Sequence, residues 1–168
     1  MHRGTARGHA RRVQASEAGH GRCCRASPDV PAPEPAPHEA LVRVHTAAVN
    51  PLDNTIVRRE VRLIVPYRLP LVMGNEFSDT VVKAGSNAQA FKEGDRVYGR
   101  LPLAEIGAFA EYAAVDESAL APAPSYLSME EAACVPLAAL LALRLHREVH
   151  ALPAILIMLR SGVGLDHP

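Results

Sequence analysis

The sequence predicts a mostly β fold, a small irregular β-barrel followed by a C-terminal helical segment, and three observations carry that expectation. The first is an alternating run, Ala40-Leu41-Val42-Arg43-Val44-His45-Thr46-Ala47-Ala48-Val49, whose period of two is that of a half-buried strand. The second is a series of short runs, Phe77 to Lys83, Arg96 to Gly99 and Ala108 to Val115, with Gly85-Ser86-Asn87 and Lys92-Glu93-Gly94-Asp95 between them. Those intervening residues are turn chemistry, with glycine available for positive φ. The third is Ser128-Met129-Glu130-Glu131, a capping box: the serine oxygen takes an orphan amide and the glutamate three residues on reaches back, so a helix begins there.

With 168 residues and a formal net charge of zero, the chain has room for one domain with a real core, plus tails. Neutrality argues against a nucleic-acid partner, which needs a concentrated basic field. The three cysteines, Cys23, Cys24 and Cys134, form no C-x-x-C pair, so neither a disulfide framework nor a cysteine zinc site is indicated, and a reducing cytoplasm is the expected location. The longest uncharged apolar run, Ala132 to Leu143, is interrupted by Pro136. It is too short for a membrane span, which takes roughly 20 residues.

Residues 1–29 read as a disordered Arg/Gly-rich tail or the product of a wrongly assigned start. They carry Arg3, Arg7, Arg11, Arg12, Arg22 and Arg25, with Val13 as the one sizeable aliphatic before Val30 apart from Met1, too little apolar surface to offset ordering. A mitochondrial presequence would need an apolar helical face that this segment does not supply. Pro28, Pro31, Pro33, Pro35 and Pro37 then make an extended lead-in. Residues 30–127 form the main domain, and 128–168 a helical linker with the possible start of a further domain. In that last part the helix from Met129 is broken or kinked at Pro136 and resumes as Leu137 to Leu143, apolar on nearly every side. Ala154 to Leu159 reads as a fully buried strand or a helix fragment. His146 and His150 stand four apart with Glu148 between them; the pattern is metal-like, but the order is not His-Glu-x-x-His and no third ligand is evident.

Six segments in order, Val30 to Pro35, Ala48-Val49-Asn50-Pro51-Leu52-Asp53, Leu69 to Ser78, Phe91 to Gly99, Gly107 to Tyr112 and Leu127 to Ala133, resemble the medium-chain dehydrogenase/reductase superfamily. Within it the likeness is to the zinc-independent, quinone-oxidoreductase-like branch. The resemblance implies a GroES-like β-barrel that faces a Rossmann domain, with the nicotinamide of NADPH in the cleft between them. It implies Asn50 beside that nicotinamide, with Asp53 of the same motif positioning the loop. Zinc-dependent relatives place a cysteine and a histidine where this chain has Asn50 and Asn75; with two neutral amides there, Glu76 could not hold zinc alone, and no metal is expected. Without a Lewis acid the suited acceptor is a quinone or α,β-unsaturated carbonyl, which already delocalises the incoming charge, so hydrogen-bond donors suffice. Tyr67 is a candidate donor near the pocket. Taken alone, Asn50-Pro51 reads as a turn, Gly74-Asn75-Glu76 as a tight corner with a solvated acid, and Tyr67 as an anchoring aromatic.

The chain also departs from the family pattern. Asp79 stands where a glycine is usual, and Ala84 where a valine is usual. Arg160 to His167 echoes a dinucleotide-binding glycine loop poorly, lacking the third glycine and a following helix. The expectation is therefore the substrate-side half of an oxidoreductase, with the Rossmann domain missing and the isolated chain inactive. The alternatives are a non-catalytic GroES-like binding module and a truncated fragment without function. A barrel lacking its opening strands, and an apolar helix lacking its neighbour, would self-associate.

Overall fold

The computed structural model describes residues 9–18, 21–61 and 67–151. Two compact units divide the chain, Met1–Pro136 and Leu137–Pro168. In the first, the described residues form eight strands: β1 (His9–Ala18), β2 (Gly21–Pro31), β3 (Glu39–Ala48), β4 (Leu71–Val72), β5 (Glu76–Ala84), β6 (Arg96–Arg100), β7 (Tyr112–Asp116) and β8 (Leu120–Pro122). Two short helices join them, α1 (Pro51–Val57) and α2 (Met129–Ala133). The mostly β expectation holds.

The larger sheet runs β7-β3-β5-β6-β8, all antiparallel. Four of its strands are the expected runs, displaced from their expected bounds by a residue or two except β7, which begins at Tyr112, and the fifth, β8, is one that the sequence reading did not anticipate. The side chains of Val42, Phe77, Val81, Val97 and Val115 meet in one fully enclosed cluster, and removal of that apolar surface from water is the main stabilising term. Between β5 and β6 the turn at Gly94 takes φ +93°, a conformation that glycine adopts without the Cβ clash of other residues.

The smaller sheet, β2-β1-β4, overturns one expectation. Residues 9–18 and 21–29, which by composition belong to a disordered tail, pair as an antiparallel hairpin from His9–Pro31 to Ala18–Gly21. The reason lies in long-range partners: Val13 donates to Phe109 O at 2.7 Å and Met73 donates to Val13 O at 3.0 Å. Among the β1 side chains described, Ala10 and Ala15 are buried, and the register shifts between Ala10 and Arg12. Small side chains and a bulge that switches faces together hide the strand period. The unpaired edge expected from missing opening strands is accordingly covered on this side by β1. Arg12 bridges Ala110 between the sheets, and the two ladders do not close into one continuous barrel among the described residues. A second cluster of Ala15, Ile56, Met73 and Ile106 fills the space under β1 and α1.

Ser128 caps α2 as its pattern predicts: its Oγ accepts from Glu131 N at 3.2 Å and the Glu131 carboxylate accepts from Ser128 N at 2.9 Å. Ala132 and Ala133 on α2 are fully buried, and Ser78 Oγ donates to Met129 O, tying α2 to β5. The helix stops at Ala133, and α3 (Pro136–Ala151) starts anew with Pro136 as its first residue, where a missing N–H is harmless. Leu140, Leu141, Leu143 and Leu145 of α3 are exposed. The run Ala154 to Leu159 and the glycine loop at 160–167 lie outside the described residues.

Candidate functional site

Four of the five sequence-indicated side chains meet where β3 ends, α1 begins and β5 begins. Asn50 is extended, at φ −119° and ψ 157°, and Pro51 follows as the first residue of α1; proline's fixed φ suits that position. Asp53, at the third helical position, turns its carboxylate back, and Oδ2 accepts from Asn50 N at 2.8 Å. This relieves an orphan donor and sets an acid at the positive end of the helix. Across the sheet Ala48 pairs with Glu76, bringing the first residue of β5 against the loop. Asn50 Nδ2 donates to Glu76 Oε1 at 2.7 Å, and Asn75 Nδ2 donates to Asp53 Oδ1 at 2.7 Å.

The result is a crossed pair of amide–carboxylate bonds. Asn75 and Glu76 are almost wholly enclosed, at 0% and 1% exposure, and Asp53 is buried. Hydrogen bonds to charged groups are among the stronger ones, and inside a protein they hold both partners in one orientation. Asn50 is only half-buried, and Val49 before it is exposed, so the network has one open side. The corner depends on Gly74, whose φ is +101° and whose hypothetical Cβ would lie 2.6 Å from Phe109 N. Gly74-Asn75-Glu76 is thus a tight corner, as read from the residues alone, but its acid is buried and not solvated.

Tyr67 is not brought into this network. It packs against the second apolar cluster, and its buried hydroxyl has no hydrogen-bond partner. Burial pushes its pKa up, opposed by the Arg100 guanidinium and reinforced by the Asp53 carboxylate. The anchoring-aromatic reading describes its place better than the donor reading. His146 lies on α3, and among the described residues no three His, Cys, Asp or Glu side chains converge on a point that could hold a metal ion.

The structure also shows a site residue that motif reading passed over as a departure. Asp79 lies in the middle of β5 and is 3% exposed. Among the described non-glycine residues only Arg59 has positive φ, so Asp79 carries no backbone penalty for replacing glycine. Desolvation pushes its carboxyl up to about 6, against the Thr80 amide bond and the positive fields of His45 and Arg43. The available signal was an acid in place of the usual glycine, between Phe77 and Val81 of a core strand.

The sequence matches the alcohol dehydrogenase GroES-like domain over residues 36–125. The chain belongs to that family. Beyond the GroES-like domain match, it is 35% identical over 130 residues to a chloroplastic quinone-oxidoreductase homolog of Spinacia oleracea, covering 77% of this chain and 40% of that protein. It is 33% identical over 116 residues to a mitochondrial NAD(P)H oxidoreductase of Dictyostelium discoideum, covering 68% of this chain and 33% of that one. The solved structure of Escherichia coli quinone oxidoreductase complexed with NADPH superposes with a TM-score of 0.62 at 28% identity, over 73% of this chain and 36% of that one. The GroES-like chain therefore spans about a third to two fifths of the length of these relatives, all of which are named as oxidoreductases.

Proposed function

We propose that this chain is the substrate-side domain of an NADPH-dependent oxidoreductase that reduces a quinone or an α,β-unsaturated carbonyl by hydride transfer without zinc. The observation that carries the reading is the crossed bonding of Asn50 to Glu76 and Asn75 to Asp53. Both amide nitrogens and one oxygen of each carboxylate are engaged with each other. A catalytic zinc takes thiolate, imidazole or carboxylate ligands, and amides locked onto the acids present the wrong donor set. The relatives' names support the quinone and nicotinamide part of the reading.

NADPH, when bound, supplies the hydride. Asn50 is the residue of this chain that would meet it, with Asp53 of the cofactor-side motif positioning its loop, and the network fits that task. Glu76 holds the Asn50 amide in one rotamer, and Asp53 holds the Asn50 backbone. A group fixed before the acceptor arrives loses little freedom when it binds, and orientation of this kind is a large part of bimolecular catalysis. Exposed Val49 beside Asn50 gives a flat acceptor an apolar contact. The charge that develops on the acceptor oxygen is spread over a conjugated system, so an amide-type donor is sufficient.

The test is a titration of the chain with 9,10-phenanthrenequinone and, separately, with NADPH, followed by backbone amide resonances. The reading expects quinone-dependent shifts confined to Val49–Asp53 and Asn75–Glu76, weakened in Asn50→Ala. Shifts elsewhere, or quinone binding indifferent to Asn50→Ala, would overturn it.

A further inference from the structure

Arg100 is a cation that borders the Asn50–Glu76 network without bonding to it. It is the last residue of β6 and pairs with Glu76 across the β5–β6 ladder. Residues directly opposite in an antiparallel ladder set their side chains on one face, with Cβ atoms about 4.5–5.5 Å apart. Because β5 lies between β3 and β6, Glu76 has Asn50 bonded to its Oε1 at 2.7 Å from one side and Arg100 as its neighbour on the other. The next residue ties the end of β6 to the same corner, since Leu101 N donates to Asn75 O at 2.8 Å. The Tyr67 hydroxyl feels the charge of both Arg100 and Asp53, which puts the guanidinium on the side of the network where Tyr67 and Asp53 stand.

Among the described residues the Arg100 side chain makes no hydrogen bond or ion pair. The residue is half-buried; its Nε is enclosed without a partner, while its terminal nitrogens are not fully enclosed. A guanidinium stays charged and holds its donors in a fixed fork, and a partly desolvated one with every donor unspent is uncommon. The rest of the network is short of donors. Asn50 Nδ2 gives one hydrogen to Glu76 Oε1 and turns the other toward Ala48 O at 3.5 Å, and Asn75 Nδ2 is directed at Asp53. The Asp53 and Glu76 carboxylates accept, and their charge would oppose any negative charge that builds up beside them. A free N–H and a positive charge are what the amides lack, and Arg100 offers both on the face that Glu76 shares.

We propose that Arg100 donates a hydrogen bond to the carbonyl oxygen of the quinone or enone bound beside Asn50, and stabilises the charge that hydride transfer places on that oxygen. The hydride bonds to an acceptor carbon conjugated with the carbonyl, the displaced π pair moves to the oxygen at Arg100, and a solvent proton completes the two-electron reduction, leaving the nicotinamide oxidised. The role holds only if the acceptor binds at Asn50, as proposed above. The experiment titrates the full chain, Arg100→Gln and Arg100→Lys with 9,10-phenanthrenequinone and with phenanthrene, the same rings without oxygens. Backbone amide resonances report the place of binding and infrared spectra report the carbonyl stretch of the bound quinone. Arg100→Gln should weaken quinone binding about tenfold or more, as loss of a charged donor predicts, and leave phenanthrene binding unchanged. It should also raise the carbonyl stretch, and Arg100→Lys should recover part of both effects. Quinone shifts at Val49–Asp53 with affinity and stretch unchanged in Arg100→Gln would overturn the role of Arg100 and leave the acceptor site standing. Equal losses for quinone and phenanthrene would make Arg100 a structural residue and overturn it too. Quinone shifts absent from Val49–Asp53 in the parent chain would overturn the acceptor site, and the role of Arg100 with it.

Discussion

Replacing Asp79 by asparagine should stabilise the chain at neutral pH and leave it unchanged in acid. The Asp79 carboxyl titrates near 6 in the folded chain against 3.8 for an unperturbed group. The rise from 3.8 to about 6, at about 1.4 kcal/mol for each tenfold change in proton affinity, gives a ceiling of about 3 kcal/mol, and local relaxation around the carboxyl brings the expectation to roughly 1–3 kcal/mol. The folded pKa is raised, so the folded state holds its proton longer than the unfolded one. Stability is then full below about pH 4 and is lost as the pH rises through about 6, above which the loss is constant. In Asp79→Asn that loss disappears. Glu34, Glu111, Asp116 and Glu130 are all held below their usual range by hydrogen bonds or charge partners; their losses in acid occur in both proteins and cancel in the difference. Urea unfolding of both proteins from about pH 4 to about pH 8 measures it, and the gap should open between about pH 4 and 6. A gap of the same size at every pH, or a variant less stable at neutral pH, would refute the assignment of Asp79 as a buried acid without a donor on Oδ2.

Gly74→Ala should cost roughly 2–4 kcal/mol in urea unfolding, since it adds positive-φ strain to a clash with the Phe109 backbone; a loss under about 0.5 kcal/mol would mean the corner relaxes freely. Ser128→Ala should cost about 1 kcal/mol by removing the cap on Glu131 N, seen as a lower urea midpoint with unchanged slope. Asn50→Cys combined with Asn75→His, with Glu76 adjacent, should create cobalt absorption of the thiolate type and retained zinc by elemental analysis, whereas the parent chain should show neither. Failure of the pair to bind metal would place Asn50 and Asn75 too far apart for the reading above.

The larger sheet was legible because Glu39–Ala48 and Glu76–Ala84 carry large β-branched and aromatic residues, Val42, Phe77 and Val81 among them, that pack into one core and keep the strand signal visible although β3 bulges against β5. The smaller sheet was not, since the buried side chains described on β1 are alanines and its register against β2 shifts between Ala10 and Arg12. The short helix α1 was equally hidden, because Asn50-Pro51 also spells a turn. In the site, the identities of Asn50, Asp53, Asn75 and Glu76 were readable from motif resemblance. Which amide serves which carboxylate was not, because residues 50 and 76 become neighbours only through the β3–β5 register.

By itself the sequence determined the elements whose cause is local: alternation for the core strands, serine and glutamate three apart for the α2 cap, glycine for the turn at Gly94. It also determined the chemistry on offer, two amides and two carboxylates. Only the tertiary structure decided that those four groups cross-bond, that Tyr67 stands apart with its hydroxyl unpartnered, and that Asp79 is buried with one oxygen unsatisfied. The physical reason is that hydrogen-bond pairing and burial are set by distances between residues far apart in the chain, and those distances exist only once the strands have chosen their partners.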